Sequence, residues 1–240
     1  MTETPYLEDP TRRRFEATVE RRLDDRVVLD ATYFYPEGGG QPADRGTLTA
    51  DDRTFDVVDV QKMDTVYHHL ADPGDALAEG TVVEGDLDWD RRHAHMRYHT
   101  AQHLLSAVLL EAFDARTTGN QLYADRARID VAHDRFSESD LADVETRMNE
   151  LVDRDLPVRW YGTDRERAER ELDTDRTRID LLPDSIRELR IVEIGPEGDP
   201  FDRTACAGTH VATTGAVGEV RLRGRETKGS DEERLRFELA

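Results

Sequence analysis

Two histidines four residues apart, His99 and His103, head an apolar run in the stretch Tyr98 to Leu105, Y-H-T-A-Q-H-L-L. Residues i and i+4 share one face of a helix, and the run continues at helical spacing through Leu104, Leu105, Val108, Leu109, Leu110 and Phe113. The spacing predicts a buried helix with both imidazoles on one side of its start. A second half-site stands late in the chain, Cys206-Ala207-Gly208-Thr209-His210, and holds the only cysteine. Three imidazoles and a thiolate are the number and type of ligands a tetrahedral zinc takes. Each half alone has a plainer reading, the histidines as an exposed or hydrogen-bonded pair and the cysteine as a small buried hydrophobe. Together they favour a metal. Thr100 follows His99, so the general-base glutamate of an H-E-x-x-H metalloprotease is missing and that class is disfavoured.

With 240 residues the chain can form one large domain or two small ones around a real core. A single cysteine excludes an internal disulfide framework and suits a reducing compartment. The start, M-T-E-T-P-Y-L-E-D-P, lacks the basic segment and apolar run of a signal peptide, and no stretch is apolar for long enough to cross a membrane. A soluble, cytoplasmic protein with no membrane partner is expected. The charge balance is unusual: 53 acidic against 33 basic side chains give a formal net charge of -20, and Lys62 and Lys228 are the only lysines. Regular periodicities argue against disorder. The carboxylates instead read as a coat adapted to very high intracellular salt, where self-repulsion is screened. In such salt phosphate attraction is weak for any protein, so acidity does not exclude a nucleic-acid partner.

Along the chain, short alternating or β-branched segments at 14–22, 26–29, 46–49, 54–60, 66–70 and 81–87, separated by turns such as Asp51-Asp52 and Pro73-Gly74, predict a small β-barrel. Within it lies Tyr33-Phe34-Tyr35-Pro36-Glu37-Gly38-Gly39-Gly40-Gln41-Pro42-Ala43-Asp44-Arg45-Gly46. Three successive glycines weaken a plain strand. They fit either a bulged turn or a loop whose backbone approaches a ligand, with Gln41 and Asp44 as polar contacts. No Gly-Lys-Ser/Thr follows, so this is not a phosphate loop of the Walker type. Barrel-like alternation stops near Trp89, which places a boundary between residues 1–89 and 90–240. His93 and His95 read as solvated. Beyond the metal-bearing helix, a strand is expected at 126–131, and a helix capped at Ser137 with a stripe of Leu141, Val144, Met148, Leu151 and Val152. Strands follow at 158–161, 190–194, 217–223 and 235–239, and Thr163-Asp164-Arg165-Glu166 reads as a capping box. The fold class is α+β, a β-barrel followed by an antiparallel sheet with packed helices.

Three motifs, F-Y-P-E-G-G-G-Q-P-A-D-R-G from Phe34, R-Y-H-T-A-Q-H-L-L from Arg97 and C-A-G-T-H-V from Cys206, resemble the alanyl-tRNA editing proteins of the AlaX family in their order. These are free-standing relatives of the editing domain of alanyl-tRNA synthetase, and the glycine-rich motif resembles the medium-length class. The resemblance implies one zinc on His99, His103, Cys206 and His210. It also implies hydrolysis of the ester joining serine, and glycine as a second substrate, to tRNA specific for alanine. On this reading Gln41, Thr117 and Thr118 are catalytic candidates, the two threonines near the position that senses the serine hydroxyl. Gly38, Gly39, Gly40, Asp44, Thr100, Thr209 and Lys228 are substrate-binding candidates. Gly229-Ser230-Asp231-Glu232-Glu233 departs from the basic residues that relatives often carry after the lysine-glycine pair. Two other readings stay open: a tRNA-binding module with a structural zinc, and a metal-dependent hydrolase of a small ester or amide. The residues leave monomer and homodimer equally open.

Overall fold

A computed structural model of the chain describes residues 1–72, 77–172, 176–177, 179, 183, 185–229 and 231–240; the expected Pro73-Gly74 turn and Ser230 lie outside them. The chain divides into two compact units, Met1–His95 and Met96–Ala240. In the first, strands β1 (Arg14–Arg22), β2 (Arg26–Leu29), β3 (Gly46–Ala50), β4 (Arg53–Lys62), β5 (Val66–Leu70) and β6 (Val82–Leu87) close into a barrel of order β1-β2-β5-β4-β3-β6. Every neighbour pair is antiparallel, and β6 returns to pair with β1, so no strand edge is left open. Period-two alternation fills the interior: β1 turns Phe15, Ala17 and Val19 inward onto Leu29, Phe34, Leu48, Phe55 and Val83. At the expected Asp51-Asp52 turn, Asp51 sits at φ 50°, a left-handed position that aspartate tolerates.

The glycine-rich stretch resolves into a tight turn. Gly38 and Gln41 exchange backbone hydrogen bonds of 3.1 and 2.9 Å across Gly39 and Gly40. These two have φ of 59° and 83°, the paired positive values of a type I′ turn, which explains glycine at both places. The Gln41 side chain is fully buried while Gly39 is exposed at the tip. At the base, the buried Asp44 carboxylate accepts from the Tyr35 amide at 2.7 Å and from the Nε of Arg92 at 2.8 Å. Arg92, wholly buried, also donates to the carbonyls of Pro10 and Tyr33 at 2.9 and 2.5 Å. The turn is thus anchored by a buried ion pair whose bonds converge on one carboxylate oxygen, Oδ2 of Asp44, while Oδ1 has no hydrogen-bond partner among the described residues.

On β5, His68 is wholly buried. Its Nδ1–H faces the Val27 carbonyl at 3.3 Å, so Nε2 accepts from the Thr32 hydroxyl at 2.8 Å. Burial holds its pKa at about 4, down from 6.5. The folded protein therefore keeps this imidazole neutral while the unfolded chain takes up a proton near 6.5. Stability is lost as pH falls from 6.5 to about 4, and this one group contributes about 3 kcal/mol to the loss. Urea unfolding across that window should show a smaller pH slope for His68→Gln than for the parent. Equal slopes would remove His68 as the source.

The second unit takes most of helix α1 (Trp89–Phe113), then β7 (Thr117–Leu122), β8 (Ala127–Ala132), helix α2 (Glu138–Asp153), β9 (Val158–Asp164), helix α3 (Arg165–Glu171), β10 (Glu188–Ile194), β11 (Asp202–Ala205), β12 (Val220–Thr227) and β13 (Glu232–Leu239). There are two antiparallel sheets where one was expected, β11-β10-β9 and β12-β13-β8-β7. Every residue of α1 from Tyr98 to Leu109 is buried, which is why its sequence is apolar around almost the whole circumference. His95 is buried and His93 stacks on Trp89, so the expectation of two solvated histidines is corrected: both already lie inside α1. Ser137 caps α2 in a reciprocal box with Asp140, and Val144, Met148, Leu151 and Val152 face the core as expected. The cap of α3 is Asp164, whose side chain accepts from the Arg167 amide, and not Thr163, which is still paired to Leu189 in the sheet. Among the described residues no helix is long and apolar enough to cross a membrane.

Candidate metal centre

Helix α1 carries His99 and His103 on one face, and the segment after β11 carries Cys206 and His210. The fold brings the ligand atoms of all four to within 4.8 Å of one another. The three histidines are buried and Cys206 is half-buried. Cys206 Sγ lies 3.5 Å from Nε2 of His99 and 3.5 Å from Nε2 of His210. A tetrahedral zinc with bonds of about 2.0 Å to nitrogen and about 2.3 Å to sulfur sets those atoms about 3.5 Å apart. The two contacts have the length that edges of such a tetrahedron would have, and the donor set fits the metal.

The charges fit as well. Burial pushes the Cys206 thiol up, but the His99 and His103 charges and hydrogen bonds from His103 and His210 hold it well below its ordinary value, in the thiolate form that ligates. Burial, reinforced by the His99 charge, holds His210 well below the ordinary imidazole value, so it is neutral.

Residues around the four atoms set their orientation. The Thr100 hydroxyl lies 3.2 Å from Nδ1 of His210 and accepts from the Val211 amide at 3.3 Å, leaving Nε2 of His210 facing the sulfur. Nδ1 of His103 lies 3.5 Å from Oδ2 of Asp202. Arg190 donates to the carbonyls of Cys206 and Gly208 at 2.8 and 3.0 Å, packs over the Trp160 ring, and through its own carbonyl receives the Cys206 amide. The Gly208 amide donates to Sγ at 3.3 Å. Arg190 and Asp202 were not singled out from the sequence. The signal for Asp202 was period two: Asp202, Thr204 and Cys206 share one face of an extended run, but the run's polar residues hid the strand.

The remaining sequence-based candidates fall in three places. Thr117 bonds through its hydroxyl to Ser106 at 2.6 Å, and Ser106 continues the His99–His103 face of α1 by one turn. Thr118, a bulge in the β7–β8 pairing, is exposed and donates to Glu232. Thr209 is buried between Cys206 and His210. Lys228 is exposed at the end of β12, 3.8 Å from Glu226. Gly38, Gly39, Gly40, Gln41 and Asp44 belong to the first unit and build the turn described above.

The first unit matches the family of tRNA synthetases class II (A) over residues 2–91, and residues 189–236 match the threonyl and alanyl tRNA synthetase second additional domain. The alanyl-tRNA editing protein AlaX-M of Methanosarcina barkeri is 40% identical over 245 residues, covering 100% of this chain and 99% of that protein. Its counterpart in Methanosarcina acetivorans is 39% identical over 247 residues with the same coverage. The alanine–tRNA ligase of Pyrococcus furiosus is 36% identical over 239 residues, 98% of this chain but 26% of the ligase. End-to-end similarity at this level, together with the His-Cys cluster, shows that the chain belongs to the AlaX family of alanyl-tRNA editing proteins, in its medium-length AlaX-M class.

Proposed function

We propose that this protein is a trans-editing deacylase that hydrolyses the ester joining serine, and secondarily glycine, to the 3′ end of tRNA specific for alanine, in a cytoplasm of high salt. The observation that carries the reading is the cluster of His99, His103, Cys206 and His210, with two of its edges at the 3.5 Å of a zinc tetrahedron, in a chain similar throughout to proteins named for alanyl-tRNA editing. A zinc held there would polarise the ester or orient the aminoacyl group. In the reaction, water attacks the ester carbonyl, the bond to the ribose oxygen breaks, and a proton from the water leaves with the ribose hydroxyl. The need for such an enzyme follows from discrimination limits: a pocket for alanine rejects neither smaller glycine nor serine, with one added hydroxyl, strongly enough.

Of the two threonines we assign serine recognition to Thr117, because its hydroxyl is turned onto the metal-bearing face of α1 through Ser106. The Gly39–Gly40 tip, exposed at Gly39, is assigned to the tRNA, with Gln41 and Asp44 as its buried support, and Thr209 and Lys228 as further contacts. Removal of one neutral hydrogen bond is worth about 1 kcal/mol, so Thr117→Val should slow release of serine about fivefold while sparing glycine. Thr118→Val should change neither. Single-turnover assays with serine-, glycine- and alanine-charged tRNA in molar salt test both the reaction and the assignment. Equal hydrolysis of alanine and serine would reject editing, and a larger effect at Thr118 would reverse the assignment. Four protein ligands also suit a purely structural zinc. That second reading requires tRNA binding without deacylation.

A further inference from the structure

We propose that Asp202 and Arg176 act as a positioning couple for His103, setting which imidazole nitrogen faces the ligand cluster. The inference rests on the reading of His103 as a metal ligand. Asp202 is buried at the start of β11, and Arg176 grips its carboxylate with two bonds of 2.7 Å, from Nε to Oδ1 and from Nη2 to Oδ2. The same Oδ2 lies 3.5 Å from Nδ1 of His103. This nitrogen is buried and has no hydrogen-bond partner among the described residues, so the carboxylate is the acceptor toward which its N–H is aimed. The distance is longer than a formed hydrogen bond and closes with a small shift of the ring.

Arg176 does more than neutralise the carboxylate. Its Nη2 also approaches the His103 backbone carbonyl at 3.4 Å, so one planar guanidinium spans the carboxylate and the helix position that bears the ligand. With Nδ1 committed to Asp202, Nε2 is left as the lone pair directed at the cluster. Behind His210 the group facing Nδ1 is instead the uncharged Thr100 hydroxyl. The couple belongs to no part of the two sequence half-sites, and its members come from segments distant in the chain from α1. A carboxylate behind a ligand imidazole raises the donor strength of that imidazole and fixes its ring, and loss of such a partner lowers metal affinity by about 10–100-fold.

The test is a titration of the full chain with zinc against a chromophoric chelator, and with cobalt followed by its visible absorption bands, for the parent, Asp202→Asn and Arg176→Lys. The expected result is one metal per parent chain, an affinity lower by about 10–100-fold in Asp202→Asn, and altered cobalt bands. Arg176→Lys keeps the charge but loses the fork, and should show a smaller loss in the same direction. Unchanged affinity and unchanged cobalt bands in both variants would overturn the proposal and leave the ion pair a structural tie. Should Asp202→Asn not fold, Arg176→Lys decides by the same two readouts. Failure of the parent itself to bind one metal would reject the metal reading, which separates that failure from failure of the couple.

Discussion

Replacing His103 by alanine is expected to abolish one-to-one zinc binding and to lower hydrolysis of serine-charged tRNA for alanine by more than about a hundredfold. That threshold follows because loss of a mere supporting partner behind a ligand already reaches about 100-fold. His103 closes the cluster against His99, His210 and Cys206, with ring centroids 5.1 and 4.6 Å from those of His99 and His210. Its removal leaves three donors and an opening beside the thiolate. The fold should survive, since the Asp202 carboxylate keeps its two bonds from Arg176. Metal content of the purified protein and single-turnover deacylation, both beside a chelator-treated parent, check the prediction. If the variant loses its metal yet deacylates at the parent rate, the zinc is structural and the chemistry lies elsewhere.

The largest expected effect on stability comes from Arg92→Met, at about 3–5 kcal/mol. Arg92 is wholly buried and its guanidinium donates to Oδ2 of Asp44 and to the carbonyls of Pro10 and Tyr33. Methionine fills much of the volume but leaves the Asp44 carboxylate buried with the Tyr35 amide as its remaining hydrogen-bond donor. An uncompensated buried charge, and not lost packing, is what makes the change severe. The double variant Asp44→Leu, Arg92→Met should therefore be more stable than Arg92→Met alone. Urea unfolding measures both. A single variant within about 1 kcal/mol of the parent would show that the ion pair does not hold the turn.

Local signals carried much of the fold. Strict alternation in β1, the Asp51-Asp52 turn, the Ser137 cap and the helical stripe of α2 are decided by neighbours a few residues away, and each was readable in advance. The four side chains that the fold brings together were also picked out, because imidazoles four apart on an apolar helix are a local pattern. The failures are as specific. T-T-G-N-Q-L has little intrinsic preference for a strand and becomes β7 only by pairing with β8; D-R-T-A becomes β11 only against β10. His95 looked polar and proved buried. Thr163 looked like a cap and is held in β9 by its partner strand.

By itself, then, the sequence determined the barrel's alternation, the buried helix, the four candidate ligand side chains and the family the chain resembles, since all of these are written in periodicity and residue type. Only the tertiary structure decided how the ligands are oriented. The Asp202–Arg176 couple behind His103, Thr100 behind His210, Ser106 against Thr117 and the Arg92–Asp44 anchor under the glycine turn join residues 11 to 110 positions apart. Such contacts leave no periodic trace, because a hydrogen bond or ion pair depends on distance and angle in space and any sequence separation can supply them.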